Sequence, residues 1–419
     1  MKKFIYAFGL FITGSFFGIV DIHAQIQGVG DTIICYANDF ETDAYVLPPE
    51  HFEQGAGAKL SNFKIDFGAD VPSQARPAIR FAADIWSSTL ASSVPIRVDV
   101  RWDSLGQDAL ASAGPTTLFR DFPGASGPTI WYPVALAEAI TGQELNDTTE
   151  ADIAININKA TNWYFGLDGN TPFNQIDLAT VILHELAHGL GFLSSAIKTK
   201  DEEGQFGFEG LLFIFDGFIR NDLDQFLSDT TLFHDPSVEL LQEFTSGRLF
   251  FASLLAASFN GDMDPQLFAP AEFDEGSSLS HLDESIFRDK QDDALMTPRL
   301  ARSEAIHHPG NVTIAIMEQI GWNSVLTAVV SPRIVEQPLR TFPNPTTGPL
   351  HIAVPAFRPG TIIRLAVMDM TGRRVLLLDR KAMAEGASLE LDLGSLPSGA
   401  YLVTLAGNEE LFRTRVLRE

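Results

Sequence analysis

Thr180-Val181-Ile182-Leu183-His184-Glu185-Leu186-Ala187-His188-Gly189-Leu190-Gly191-Phe192 decides how the rest of this chain is read. On an α-helix, residues four apart project from one face, so His184 and His188 can hold one metal ion together. Glu185, one residue on, is placed to act as a general base on a water at that ion. The flanking sequence supports a helix. Asn174 reads as its N-cap, Asp177 falls in the first turn, and Leu178, Val181, Ile182, Leu186 and Leu190 form an apolar stripe. Gly189 and Gly191 then allow a sharp turn away from the metal.

A catalytic zinc ion takes three protein ligands and keeps a fourth position for water, so a third ligand is needed. The segment resembles the metzincin pattern His-Glu-x-x-His-x-x-Gly-x-x-His, with Gly191 at the glycine position. It departs from that pattern at Ser194, whose hydroxyl is a poor zinc ligand. Leishmanolysin-like metzincins carry a long insertion between the glycine and the third histidine, and this chain is similar: after Gly191 the next histidines are His234 and His281. His281 is preferred, because Asp293-Ala294-Leu295-Met296-Thr297-Pro298 shortly after it resembles the Met-turn, with Met296 as the apolar floor of the site. His234-Asp235-Pro236 reads instead as a turn leading into a helix. Glu209 is the candidate for a rival class that takes a glutamate as third ligand, but Gly207 and Gly210 flank it and argue against a helix centre.

Outward to the N-terminus, Lys2 and Lys3 precede an apolar run from Phe4 to Val20 and then a short polar stretch ending Ile22-His23-Ala24. This predicts a secretory signal peptide over residues 1–24, and no later run is long enough to span a bilayer. Cys35 is the only cysteine, so no intramolecular disulfide can form. A cysteine near the mature N-terminus can block zinc in some metzincin pro-regions, but Cys35 reads as a small residue in the strand Thr32–Tyr36. With 29 Lys+Arg against 54 Asp+Glu, the chain is strongly acidic, which argues against a nucleic-acid partner. Acidic residues thicken between Asp262 and Asp293. Oxygen-rich loops of this kind can supply calcium ligands, and the plainer reading is a solvated acidic surface.

Toward the C-terminus the composition changes. A connector at 331–340 leads to Phe342-Pro343-Asn344-Pro345-Thr346-Thr347-Gly348 and then to alternating apolar strands: Ile362–Met368, Arg374–Leu378, Leu389–Leu393 and Tyr401–Leu405. The Pro-Asn-Pro opening and the turn Leu396-Pro397-Ser398-Gly399-Ala400-Tyr401 resemble the C-terminal sorting domain of the Bacteroidota type IX secretion system, a small β-sandwich. That resemblance implies recognition by the secretion machinery and export across the outer membrane, to the cell surface or the medium.

The remaining segments fill in an α/β (α+β) catalytic region over residues 25–330. Pro77–Leu90 reads as an amphipathic helix, and Ile96–Trp102 and Asp152–Ile157 as strands. In metzincins the strand before the catalytic helix is an edge to which an extended substrate pairs, and Asp152–Ile157 is the candidate by position. Residues 195–280 form an insertion too apolar to be disordered, with a helical pattern from Ser237 to Ser258. Asn311–Ile320 reads as a helix. The resemblances imply a secreted, zinc-dependent endopeptidase acting on proteins or peptides, with one Zn2+ on His184, His188 and His281, Glu185 as base and residues 341–419 as sorting domain. The rival reading is an exported adhesin or binding protein that keeps a metzincin fold without proteolytic activity.

Overall fold

The computed structural model describes residues 33–419, apart from 43, 53–58, 107, 127–128, 208–211, 289, 327–332, 335–338, 356–361, 370–373, 382–386, 395 and 407–409. The signal-peptide segment, Glu209 and most of the connector lie outside the described residues.

Strands of β-branched and small residues build a six-stranded sheet. Its members are β1 (Ile33–Glu41), β2 (Phe63–Phe67), β3 (Ile96–Asp103), β4 (Ala109–Pro115), β5 (Ile153–Asn158) and, much later in the chain, β9 (Arg299–Arg302). The order across the sheet is β9-β1-β4-β5-β3-β2. β2, β3 and β5 run parallel, β4 is antiparallel to β5, and β1 is antiparallel to β4 and parallel to β9. In β3 and β5 the alternation is regular: Ile96, Val98, Val100 and Ile153, Ile155, Ile157 are buried on one face.

Helices α1 (Arg76–Thr89) and α3 (Leu178–Leu190) cover that face, with α2 (Val134–Thr141) beside α3. α1 starts with Pro77 in its first turn, where the missing N–H is harmless, and buries Ile79, Ala82, Ala83 and Trp86. α2 precedes β5 and ends at Gly142 in a left-handed conformation. α3 is buried on all sides and packs against α1, β4 and β5. Its approach to the sheet is close: a Cβ on Gly189 would stand 2.3 Å from Ile153 Cγ2. Trp86 and Trp322 donate their indole N–H groups to the carbonyls of Leu183 and Leu190, tying both neighbours to this helix.

The region after α3 is ordered and joins the same apolar core. It comprises a small sheet β6-β7-β8 (Ile219–Asn221, Leu249–Phe251, Gln266–Leu267) and helices α4 (Val238–Phe244), α5 (Leu254–Phe259) and α6 (Glu284–Phe287). Phe206, Phe215, Phe244 and Phe251 are its large buried side chains. The helical pattern expected over Ser237–Ser258 is corrected here. Gly247, at φ 67°, breaks it, and β7 separates α4 from α5. α7 (Asn311–Ile320) follows β9 with the bounds expected from sequence.

A second correction concerns Asp152–Ile157. β5 is not an edge strand, since β3 and β4 pair with it on either side. Alternation of side chains reports which face is buried, not how many neighbours the backbone bonds.

Beyond the connector, a five-stranded sheet β10-β17-β16-β13-β14 (Arg333–Ile334, Glu410–Arg418, Gly399–Ala406, Ile362–Asp369, Arg374–Lys381) and a three-stranded sheet β11-β12-β15 (Thr341–Phe342, Pro349–Ala353, Ser388–Asp392) share a separate apolar cluster. Leu350 and Ile352 from one sheet meet Ile363, Leu365, Val367, Val403 and Leu405 from the other within it. Asn344 acts as a clasp: its amide donates to Arg415 O at 2.8 Å and accepts from Leu417 N at 2.9 Å. Tyr401 Oη donates to Pro397 O at 2.7 Å, closing the Leu396–Tyr401 turn. Among the described residues no helix is long and apolar enough to cross a membrane.

Candidate metal centre

The N-cap of α3 is Asp177 rather than Asn174. Asp177 Oδ2 accepts from Thr180 N at 2.8 Å and from Thr180 Oγ1 at 2.7 Å. Residues 176–177 are extended and pair with 163–164, which delays the helix start beyond Asn174. His307 Nε2 lies 2.8 Å from the same Asp177 oxygen, with both side chains fully buried, so His307 belongs to the start of the helix.

One turn before the end of α3, His184 and His188 present their rings side by side. His281 comes to them from the loop after the insertion. The three Nε2 atoms stand 3.0, 3.2 and 3.2 Å apart, and all three side chains are fully buried. Each Nδ1 faces a backbone carbonyl: His184 at 2.7 Å from Leu295 O, His188 at 2.6 Å from Phe192 O, His281 at 2.9 Å from Ser277 O. A carbonyl can only accept, so each Nδ1 carries the proton and each Nε2 offers a lone pair. Burial holds the imidazoles neutral, pulling His184 down to about 4, His281 to about 3 and His188 well below its ordinary value.

Three neutral nitrogen lone pairs pointing at one spot repel one another unless a cation lies between them. Tetrahedral nitrogen ligands about 2.0–2.1 Å from zinc are separated by about 3.3–3.4 Å, close to the spacing found. The donor set therefore fits a divalent ion. His234 is exposed, and neither it nor His308 belongs to this cluster.

Glu185 is fully buried, and neither carboxylate oxygen has a hydrogen-bond partner among the described residues. Burial pushes its carboxyl well above the ordinary range. Cys35 Sγ, a ring nitrogen of His184 and a Glu185 oxygen lie within 4.8 Å of one another. The expected strand around Cys35 is present, but sequence reasoning missed its place beside the cluster. No local signal reports it, because it follows from the pairing of β1 with β4 and β9.

The turn after α3 is built around Gly191, at φ 121°, and is held by a second polar knot. Asp216, fully buried, accepts from Ser194 Oγ at 2.6 Å, from Ser195 N and from Ser195 Oγ. Ser280 Oγ accepts from Ser194 N at 3.0 Å, so Ser194, which breaks the ligand pattern, anchors the residue preceding His281. Met296 is fully buried, and its carbonyl accepts from Leu282 N at 2.8 Å, while Leu295 next to it bonds His184. The expected floor segment thus bonds to helix α3 at His184 and to the loop that carries His281. In the acidic stretch Asp264 accepts from Arg220 at 2.8 Å, and among the described residues no cluster of acidic ligand atoms forms there.

Comparison with known proteins bears mainly on the C-terminal part. Residues 340–417 match the secretion system C-terminal sorting domain. The chain thus carries a type IX sorting domain, which directs it through that machinery and across the outer membrane of a Bacteroidota bacterium. Residues 62–263, which include α3 but stop short of His281, match a family described as SPBPB7E8-like. A stretch of 112 residues is 34% identical to the uncharacterized protein PB7E8.01 of Schizosaccharomyces pombe, covering 26% of this chain and 18% of that relative.

Proposed function

We propose that residues 25–330 form a metzincin-like zinc endopeptidase, delivered outside the cell by the sandwich-like sorting domain. The observation that carries this reading is the convergence of three Nε2 lone pairs beside a buried, unpartnered glutamate on the next residue of the same helix. The sheet supports it further, with parallel β2, β3 and β5 and the antiparallel β4 lying over α3.

His184, His188 and His281 would hold the ion, and zinc bound there supplies Lewis acidity at neutral pH. Glu185, its pKa raised by burial, accepts the proton of the attacking water and hands it to the departing amine. The carbonyls of Leu295, Phe192 and Ser277 keep the three rings in the Nε2-ligating tautomer and fix their orientation. A purely structural metal site has no use for an unpartnered carboxylate at this position, which disfavours the adhesin reading.

The test is metal content together with chelator-sensitive cleavage of unfolded casein, for the mature chain and for Glu185→Ala. With β1 displaced, Glu185→Ala should retain one zinc per chain and lose cleavage by at least about 100-fold, in the range expected for a general base. His188→Ala should lose both. Proteolysis surviving in Glu185→Ala would sink the mechanism. One zinc per chain without cleavage, even when β1 is displaced as described below, would favour the binding-protein reading.

A further inference from the structure

β1 fills a gap one strand wide. On one side its backbone pairs antiparallel with β4, Ile33 opposite Ala113 and Cys35 opposite Ala111. On the other side it runs parallel to β9, and its Ile34 and Tyr36 N–H groups donate to Gly276 O and Pro298 O. Those two carbonyls belong to the segments just before His281 and just after Met296. Without β1, β4 and β9 would both present open edges facing each other across the metal-binding cluster. An extended peptide is the ligand that two such edges bind, through main-chain hydrogen bonds with side chains alternating into pockets.

The side chains of β1 occupy such positions. Cys35 points at His184 and Glu185. Two residues earlier, on the same face, Ile33 is 3% exposed in an apolar pocket of Leu118, Trp131, Leu193 and Phe213, a cluster apart from the main core. With β1 in place the three histidines and Glu185 have no exposure to solvent, so a substrate has no route to them.

Building on the peptidase reading above, we propose that β1 is a resident pseudo-substrate occupying the peptide groove. Its displacement opens a site for extended polypeptides carrying a branched aliphatic side chain two residues before the one that faces Glu185. Ile33 defines that preference, and the pairing of β1 defines the direction in which a substrate lies.

The single cysteine makes the strand its own reporter. The zinc-loaded mature chain and its Ile33→Asp variant are compared in three readouts: alkylation of Cys35 by a bulky maleimide, binding of a fluorescent peptide of residues 31–42, and cleavage of casein. The wild-type chain should be slow to alkylate, bind no peptide and cleave little. Ile33→Asp should gain about ten-fold or more in alkylation rate and in cleavage, and should bind the peptide, as expected when a competing closed state is removed. A folded Ile33→Asp chain that alkylates rapidly yet binds no peptide and cleaves no faster than wild type overturns the proposal. Peptide binding without cleavage in either chain upholds the groove and removes the peptidase reading, so the two fail separately. Should Ile33→Asp not fold, an exogenous protease site inserted between Pro49 and Lys59, cut after folding, subjects the same three readouts to the same criteria.

Discussion

His281 shows what a single side chain decides here. It lies 93 residues from His188 in sequence, yet their Nε2 atoms are 3.2 Å apart. Its replacement by alanine should lower zinc affinity by at least the order of 100-fold that loss of an outer partner alone can bring, as read by competition with a chromogenic chelator. Glu138 makes a different prediction. It is buried in α2, accepts from Leu145 N at 2.8 Å, and burial raises its carboxyl to about 7. The folded state therefore holds this proton more tightly than the unfolded chain does. The contribution is most favourable at low pH and is lost as pH rises toward 7. Glu138→Gln keeps the acceptor and removes the charge. It should stabilise the chain by on the order of 1–2 kcal/mol at pH 8 and have little effect near pH 4, as seen in thermal unfolding at the two values. The histidines and Glu185 were legible in the sequence because four-residue spacing on a helix is local information. His281 was legible only through its neighbour Met296. Cys35 was not, because its partners come from residues 109–115 and 299–302.

Among the elements, α3 carries the site, and its packing leaves little slack. Gly189 lies in the helix interior, where alanine would normally be preferred by about 1 kcal/mol. Here the added methyl would meet three atoms of Ile153 between 2.3 and 2.9 Å away. Gly189→Ala should therefore destabilise the chain by about 1–3 kcal/mol and weaken metal binding through His188, both measurable by thermal unfolding with and without zinc. Most helix and strand positions follow from periodicity and breakers, as with Arg76–Thr89 and Asn311–Ile320. The misread helix over Ser237–Ser258 contained its own stop signal in Ser246-Gly247. The N-cap moves from Asn174 to Asp177 because the pairing of 176–177 with 163–164 keeps that stretch extended. Strand neighbours were beyond reach, since pairing is a long-range choice.

Among the described residues, the apolar clusters divide along the composition change visible in the sequence, two before the connector and one after it. In the C-terminal part, the Asn344 clasp joins the loop before β12 to β17 at the end of the chain. Asn344→Ala leaves two backbone groups to water and should cost about 1 kcal/mol in that cluster, with less of the protein reaching the medium. Thermal unfolding and the fraction exported would read the two effects. The position of β1 has a further consequence, for timing. With the strand across it, the histidine cluster has no side open to solvent. On the reading of β1 as a resident pseudo-substrate, an ion seated there would leave only as fast as β1 parts from β4 and β9, whatever its intrinsic affinity. Loading would then belong to the period before the strand closes, and metal scavengers met afterwards would act against a slow clock rather than an equilibrium.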